Sequence, residues 1–349
     1  MLIPFGPCAM FLFQFATLAP LALLIAGSLA GGWWIAGAVA MITLFTWAAD
    51  HLMRRAAAAT GSADEFPSGD ALAVALALIL LAGLVLALRA FGQDGFSTPE
   101  RAGLLIGWGL AFGQIGHPVA HELIHRRPAW MRGLGRAVYS AVLMGHHASS
   151  HLRVHHVHVG TPEDPASAPI GMGFWRYAAR AWGGSFMAGF RAESALRARA
   201  AVPPRWWSHP YLAHAIGAAL ALLSAVALAG IAGMAALIGI AAYAQLQILL
   251  SDYIQHYGLI RTRLPDGRLE PVGPRHSWNA PQAWSSAMML NAPRHSDHHA
   301  QPSRPYPALR LDDDMPMLPR AVPVMAVAAL IPPLWRRMMD RRARRWMEN

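Results

Sequence analysis

Apolar residues in this chain come in long unbroken runs, not in alternation. Residues 9–30 (AMFLFQFATLAPLALLIAGSLA) carry no charge and as helix are long enough to cross about 30 Å of hydrocarbon. Gly31 and Gly32 permit a tight turn, and 33–49 return. After the polar segment 50–70, with Arg54 and Arg55, comes a third run at 71–90. A loop with Gly92, Gly95 and Pro99 leads to a fourth over 102–120, which continues past the membrane surface as HPVAHELIHRR. The 41 residues from Tyr211 to Ser251 are uncharged. One span needs about 20 residues, so two helices are predicted, 211–229 and 233–251, turning near AGIAG. Polar stretches fill 121–210 and 252–349, where 321–335 is too short and proline-broken to cross and reads as interfacial or docked. The pattern predicts one all-α, membrane-embedded catalytic domain over 1–349, with six transmembrane helices, a cytoplasmic cap and no internal repeat.

Composition agrees. Hydrophobic residues make up 55% of the 349 and charged residues only 14%, against about 25% charged in soluble domains. All 29 basic residues are arginine, and the net charge is +10. In a soluble chain that charge would suggest nucleic acid. Here it reads as topology, and no nucleic-acid partner is expected. With both termini cytoplasmic in a bacterial inner membrane, the outer loops 31–32, 89–101 and 229–233 hold only Arg89 and Arg101, leaving 27 of 29 arginines inside. No basic segment precedes the first run, so that run is expected to stay as an anchor rather than be cleaved. The arginine-rich 336–346 reads as a solvated tail beside anionic lipid. Cys8 is the only cysteine, which excludes internal disulfides, a cysteine zinc finger and a fused rubredoxin-like module. Redox chemistry in this chain would draw electrons from a separate protein.

Candidate chemistry lies in three histidine clusters, all on the predicted inner side. HELIH at 121–125 puts His121 and His125 one helical turn apart. It also matches the HExxH pattern of zinc proteases, with Glu122 as base; by itself so short a motif reads equally well as a helix end at a membrane surface. HLRVHHVH at 151–158 repeats the spacing at His151 and His155, with His156 turned about 100° away on an α-helix and His158 on yet another face. RHSDHHA supplies His295, His298 and His299, and His256 sits where the sixth span emerges. Nine histidines exceed the four ligands of a zinc site. Shared between two metals they give four or five nitrogens each, with room for a small ligand. Imidazole suits zinc, copper, iron or nickel, and a pair of irons that bind O2 suits so histidine-rich a cage. Glu122, Asp164 and Asp297 read as groups that orient the ligands. His117 reads as a helix-end or supporting residue, His146 and His147 as surface loop, His214 as snorkelling, and Arg126 and Arg127 as headgroup anchors. His276, and Asp252 near the end of the sixth span, read as further groups behind the ligands, with Trp278 and Asn279 helping to fix the loop around His276.

These strings (HELIHR, HxxxHHVHVGTPEDPASA, DYxxHYGL, HSWN and RHSDHHAxPxRxY) resemble the membrane alkane hydroxylases of the histidine-box desaturase and hydroxylase superfamily, from the first span to about Tyr306. The resemblance implies a non-haem centre of two iron ions (Fe2+/Fe3+) on His121, His125, His151, His155, His156, His256, His295, His298 and His299. It further implies O2 as oxidant, electrons from rubredoxin and rubredoxin reductase, and a terminal methyl group as target. Two departures stand out: Ser150 and Gln255 occupy positions where the family carries glutamate before the histidine, and Asp252 lies near a family asparagine. An apolar substrate entering from the bilayer needs a channel that keeps water out, where Trp47 and Trp108 are candidates to limit chain length. The rivals are a fatty-acyl desaturase or a hydroxylase of an alkyl-aromatic or lipid, an intramembrane zinc protease using HELIH, and a metal transporter. The protease leaves seven histidines unused, and the transporter lacks buried acids along a path.

Overall fold

The computed structural model describes residues 7–53, 68–202 and 204–348, and among them the apolar runs are helices and no β-strand forms beyond isolated bridges. Arg54 and Arg55 lie outside the described residues. Helix α1 spans Pro7–Ala30 and α2 Trp33–Leu52. Gly31 and Gly32 join them with φ of 65° and 64°, a region glycine enters freely because it has no Cβ. Glu100 braces this turn: Oε1 accepts from the Gly32 N–H at 2.7 Å and Oε2 from the Ser97 N–H at 2.8 Å.

Helix α3 covers Ser68–Phe91. Helix α4 runs over 98–124, α-helical except for a π-helical stretch at Phe112–Gly116. Four helices among the described residues are long and apolar enough to cross a membrane: Met10–Ala30, Trp33–Leu52, Gly69–Phe91 and Pro210–Gln255. The expected fourth span is continuous helix, but with Gln114, His117 and its glycines it is not among these four. Helix α8, Pro210–Gln255, breaks at Ala229 and Gly230, whose dihedrals are not helical. A Cβ on Gly233 would lie 2.2 Å from the Ala225 carbonyl oxygen, whereas residues eight apart in a straight helix are about 12 Å apart along its axis. The chain therefore reverses at 229–230, where the length of the uncharged run placed a turn.

The polar segments wrap one end of this bundle. Helix α5 (Ala129–Ala141) packs on α4, and α7 (Phe174–Ala198) packs on both α8 and the irregular helix α6 (147–158). Short helices α9 (Ala283–Met288) and α10 (His295–Ala300) follow, then α11 (Val322–Ala329) docked on α8, and α12 (Pro332–Glu348). The apolar run 321–335 is thus divided, with Pro332 opening the last helix as prolines do at a first turn. That last helix is not a free solvated tail. Trp335, Met339 and Ala343 are fully buried, and Trp335 packs against Tyr253 and Tyr257 with ring centroids 5.1 and 5.4 Å away.

Candidate metal centre

The three clusters and His256 converge from four places in the chain. His121 and His125 sit one turn apart at the end of α4, with ring centroids 5.0 Å apart. The second cluster departs from the α-helical expectation. His151–His155 is a π-turn, which widens the repeat to i, i+5. His151 therefore meets His156, with Nε2 atoms 2.9 Å apart, and His155 turns to a different set of rings. Helix α10 divides in a similar way: His295 and His299 approach at 3.1 Å, while His298 Nε2 lies 3.2 Å from His156 Nε2. His256 Nε2 is 2.9 Å from His295 Nε2.

The result is two groups. His121, His125, His151, His156 and His298 form one, and His155, His256, His295 and His299 the other; within each, the ligand atoms lie within 4.8 Å of one another. The groups touch, with His156 and His299 ring centroids 4.6 Å apart and those of His151 and His155 5.2 Å apart. Seven of the nine rings are buried; His125 and His156 are only partly covered.

The chemistry of these atoms fits metal. Burial pushes eight of the nine imidazoles below their ordinary pKa, His125 to about 3. They are neutral at physiological pH, so each offers a lone pair. Nitrogens meeting at hydrogen-bond distance need one N–H and one lone pair per contact, and five converging nitrogens cannot all be satisfied that way. The Nε2 atoms of His121, His125 and His155 are buried without a hydrogen-bond partner. A cation shared by each group resolves both problems. An all-imidazole set of four or five nitrogens suits iron, zinc, copper or nickel, not magnesium or calcium.

His155 is the exception. Burial pushes it down, but the charge and hydrogen bond of Asp164, together with the charge of Asp252, outweigh that and raise it. Asp164 Oδ2 lies 2.9 Å from His155 Nδ1 and also accepts from Ser167 Oγ at 2.7 Å, while Oδ1 accepts from the Ala166 N–H at 3.0 Å. The TPEDPASA turn thus works as a holder for one carboxylate. Among the described residues, the hydrogen bonds of Glu122 and Asp297 run to arginines and backbone N–H groups. Glu122 pairs with Arg126 and accepts from the Tyr306 N–H at 3.0 Å. Asp297 pairs with Arg304 and accepts from the Arg310 N–H at 2.8 Å. Both acids fasten the 303–310 segment over the site. Arg126 faces Glu122, Asp70 and the Ser303 carbonyl rather than headgroups.

Other residues surround this shell, some where the sequence placed them and some not. His276 binds Glu270 at 3.1 Å, and its backbone, not its ring, faces His256. Asn279 accepts from the Ser296 N–H at 3.0 Å and donates to Ser296 Oγ at 2.7 Å, fixing the start of α10. His146 and His147 are buried, not surface loop, and the His147 ring stacks on His151 at 5.5 Å. His214 does not snorkel; it is buried, with Nε2 3.1 Å from Ser149 Oγ. His117 Nδ1 lies 3.0 Å from the Tyr139 hydroxyl, and its ring is 6.0 Å from His121. The i, i+4 step from His117 to His121 was a usable signal for that support. The same four-residue step relates His147 to His151, whereas nothing in the local sequence marked His214.

Two spaces adjoin the histidines. A cavity of about 680 Å³ runs between α2, α4, the second arm of α8 and α11, and reaches His117 and the Ala292–Pro293 segment ahead of His295. Its rim carries Leu44, Trp47, Val327 and Ile331, all exposed. Trp47 lines it. Trp108 does not: it is fully buried against Gly83 and donates to Ser28 Oγ at 3.0 Å, closing the junction of α1, α3 and α4. Gln255 lines the inner end, donating from Nε2 to the Ala292 carbonyl at 3.0 Å and accepting from Ser251 Oγ at 2.9 Å. The second space, of about 10 Å³, lies between His147, Ser150, His155, Asp164, Ser185 and Asp252 and has room for about one water. The two departures from the resembled pattern and Asp252 therefore all border these spaces, Ser150 and Asp252 one and Gln255 the other.

Residues 101–328 match the family model described as Fatty acid desaturase. The chain is 36% identical to alkane 1-monooxygenase 1 of Pseudomonas aeruginosa over 268 residues, 76% of this chain and 69% of that protein. It is 36% identical to alkane 1-monooxygenase 2 of the same organism, over 68% of this chain and 64% of the relative. With alkane 1-monooxygenase 2 of Alcanivorax borkumensis it shares 31% identity over 79% of this chain and 72% of the relative. The chain belongs to the alkane 1-monooxygenases of the fatty acid desaturase family. As a member of that family it is an oxidoreductase of the monooxygenase type, and its apolar helices make it a membrane protein. The matched region begins within α4 and ends within α11, so it takes in all nine histidines and most of the cavity wall.

Proposed function

We propose that the protein hydroxylates the terminal methyl group of alkanes to primary alcohols, using O2 and electrons carried by rubredoxin from its reductase. Two iron ions are held, one by His121, His125, His151, His156 and His298, the other by His155, His256, His295 and His299; when bound, they supply the O2 activation that an unactivated C–H bond requires. Six crossings, with 102–120 as the fourth and the two arms of α8 as the last pair, leave both termini and the histidines on the cytoplasmic side of a bacterial inner membrane.

The observation that carries this reading is the pairing of two touching all-nitrogen cages with an apolar cavity whose inner end is lined by His117, one helical turn before His121, and by Ala292 and Pro293 ahead of His295. Trp47 and the apolar walls exclude water and align a chain that offers no polar handle. Asp164 orients His155, and the acids at 122 and 297 keep the covering segment in place.

Iron analysis with Mössbauer spectroscopy, followed by turnover with rubredoxin, reductase and a chain-length series of alkanes, tests the reading. Two irons per chain and a primary alcohol are expected. One zinc and no iron would favour the protease, a double bond in the product the desaturase, and metal flux across vesicles the transporter.

A further inference from the structure

Helix α7 belongs to the polar half of the chain, yet it shows a stripe of large apolar side chains to the outside. Trp175, Trp182, Phe186 and Phe190 follow a spacing of seven, four and four, and all are 41–55% exposed. The helix also carries Arg176, Arg180, Arg191 and Arg197, and it is not among the helices apolar enough to cross. Just beyond it, Trp206 and Trp207 are 75% and 54% exposed immediately before α8 begins. A long helix that is too charged to span and too apolar on one face for water is the pattern of an in-plane interfacial helix.

Its depth follows from its contacts with α8. Trp182 Nε1 donates to Gln245 Oε1 at 2.8 Å, and the Tyr211 hydroxyl donates to the Phe186 carbonyl at 2.7 Å. Measured from the reversal at Gly230, Gln245 lies about 22 Å and Tyr211 about 28 Å along their arms at 1.5 Å per residue. The hydrocarbon is about 30 Å thick. The middle of α7 therefore sits at the inner edge of the hydrocarbon, not above it, and the paired tryptophans at 206 and 207 sit where an aromatic belt forms.

The opposite face of α7 holds the second histidine segment. Tyr177 donates to the Ala166 carbonyl at 3.1 Å. A Cβ on Gly184 would lie 3.0 Å from Pro165, and at the edge of the stripe itself one on Gly189 would lie 3.1 Å from Ser150.

We propose that α7 and the Trp206–Trp207 turn form a platform seated in the inner leaflet, covered by acyl chains and headgroups of the bilayer, from which the segment bearing His151, His155 and His156 is hung. The proposal rests on the reading that both arms of α8 cross the membrane. Lipid is the occupant because α7 packs on α8, whose arms expose apolar side chains such as Leu220 and Leu223, and because the exposed Arg176 and Arg191 flank the stripe, which suits anionic headgroups.

The single cysteine makes a direct test possible. In a Cys8→Ser background, cysteines at Phe186 and Phe190 are spin-labelled, and the full chain is placed in nanodiscs of phosphatidylcholine and phosphatidylglycerol. Collision with O2, which concentrates in lipid, is compared with collision with a water-soluble nickel chelate. The expected O2-to-nickel ratio at both sites is several-fold above that of a label at the exposed Asp313. Free access to nickel overturns the proposal, and so does protection from both reagents, which would mean a protein partner or a second copy covers the face. A label at Leu223, exposed on the first arm of α8, separates the two readings: if it too is open to nickel, the crossing of α8 fails. If it alone sees lipid, only the platform fails. Should one cysteine variant not fold, the other carries the test.

Discussion

His151 and His156 bring their Nε2 atoms to 2.9 Å although five residues separate them in sequence. A π-turn makes this possible: five-residue spacing faces one direction there, while on an α-helix it would leave the two rings well over a right angle apart. The intervening His155 is sent to the other group, so one short segment serves both halves of the site.

This arrangement predicts which substitutions act together. His151→Ala and His156→Ala should disturb the same iron, and His155→Ala the other. Mössbauer spectra of iron-57 protein resolve this, provided the two ions give separate doublets. Loss of one shared doublet in the His151 and His155 variants would contradict the division.

Gln255 donates to a carbonyl, which a carboxylate cannot do. Gln255→Met keeps the size and removes the donor, and Gln255→Glu sets a buried anion against the Ala292 oxygen. Both should raise hydrogen exchange across 289–294 in metal-free protein and lower iron retained by the four-histidine group, with Glu the more severe. Protection unchanged from wild type in the Met variant would show that the contact does not hold the segment.

Asp164→Asn should weaken metal binding at the His155 group by about 10- to 100-fold, the usual effect of losing a carboxylate behind a ligating histidine. Competition with a chelator measures it. The five-histidine group should change much less, because Asp164 meets none of its rings in a hydrogen bond.

Metal-free protein should lose stability as pH falls. The unfolded histidines take up protons near pH 6.5, while eight folded ones are held lower, His125 at about 3. In that window the unfolded chain binds more protons, so unfolding is favoured as acid is added and stability is fully present above about pH 6.5. His155, raised by Asp164, works the other way and offsets one site. Thermal unfolding in detergent between pH 8 and 5 should show a falling midpoint, and a flat profile would mean the rings are not buried as neutral groups.

Much of this was legible before any coordinates. Uncharged runs located the helices, and the 41-residue run at 211–251 demanded the reversal seen at Ala229 and Gly230. The four-residue step of His121 and His125 is a local property of helix and survives in the fold. Sequence adjacency to histidine does not show where Glu122 and Asp297 point: on the helix each is turned about 100° from its neighbour and pairs with Arg126 or Arg304.

The sequence by itself determined the class of protein, the histidines available and the polar side on which they collect, because hydrophobic length and helical period are set by neighbouring residues. Only the tertiary structure decided how nine rings divide into five and four, which tryptophan lines the cavity, and that α7 carries an outward apolar stripe. Those depend on a π-turn and on contacts between segments more than a hundred residues apart, such as His156 with His298. The spacing within one segment cannot encode which distant segment will pack against it.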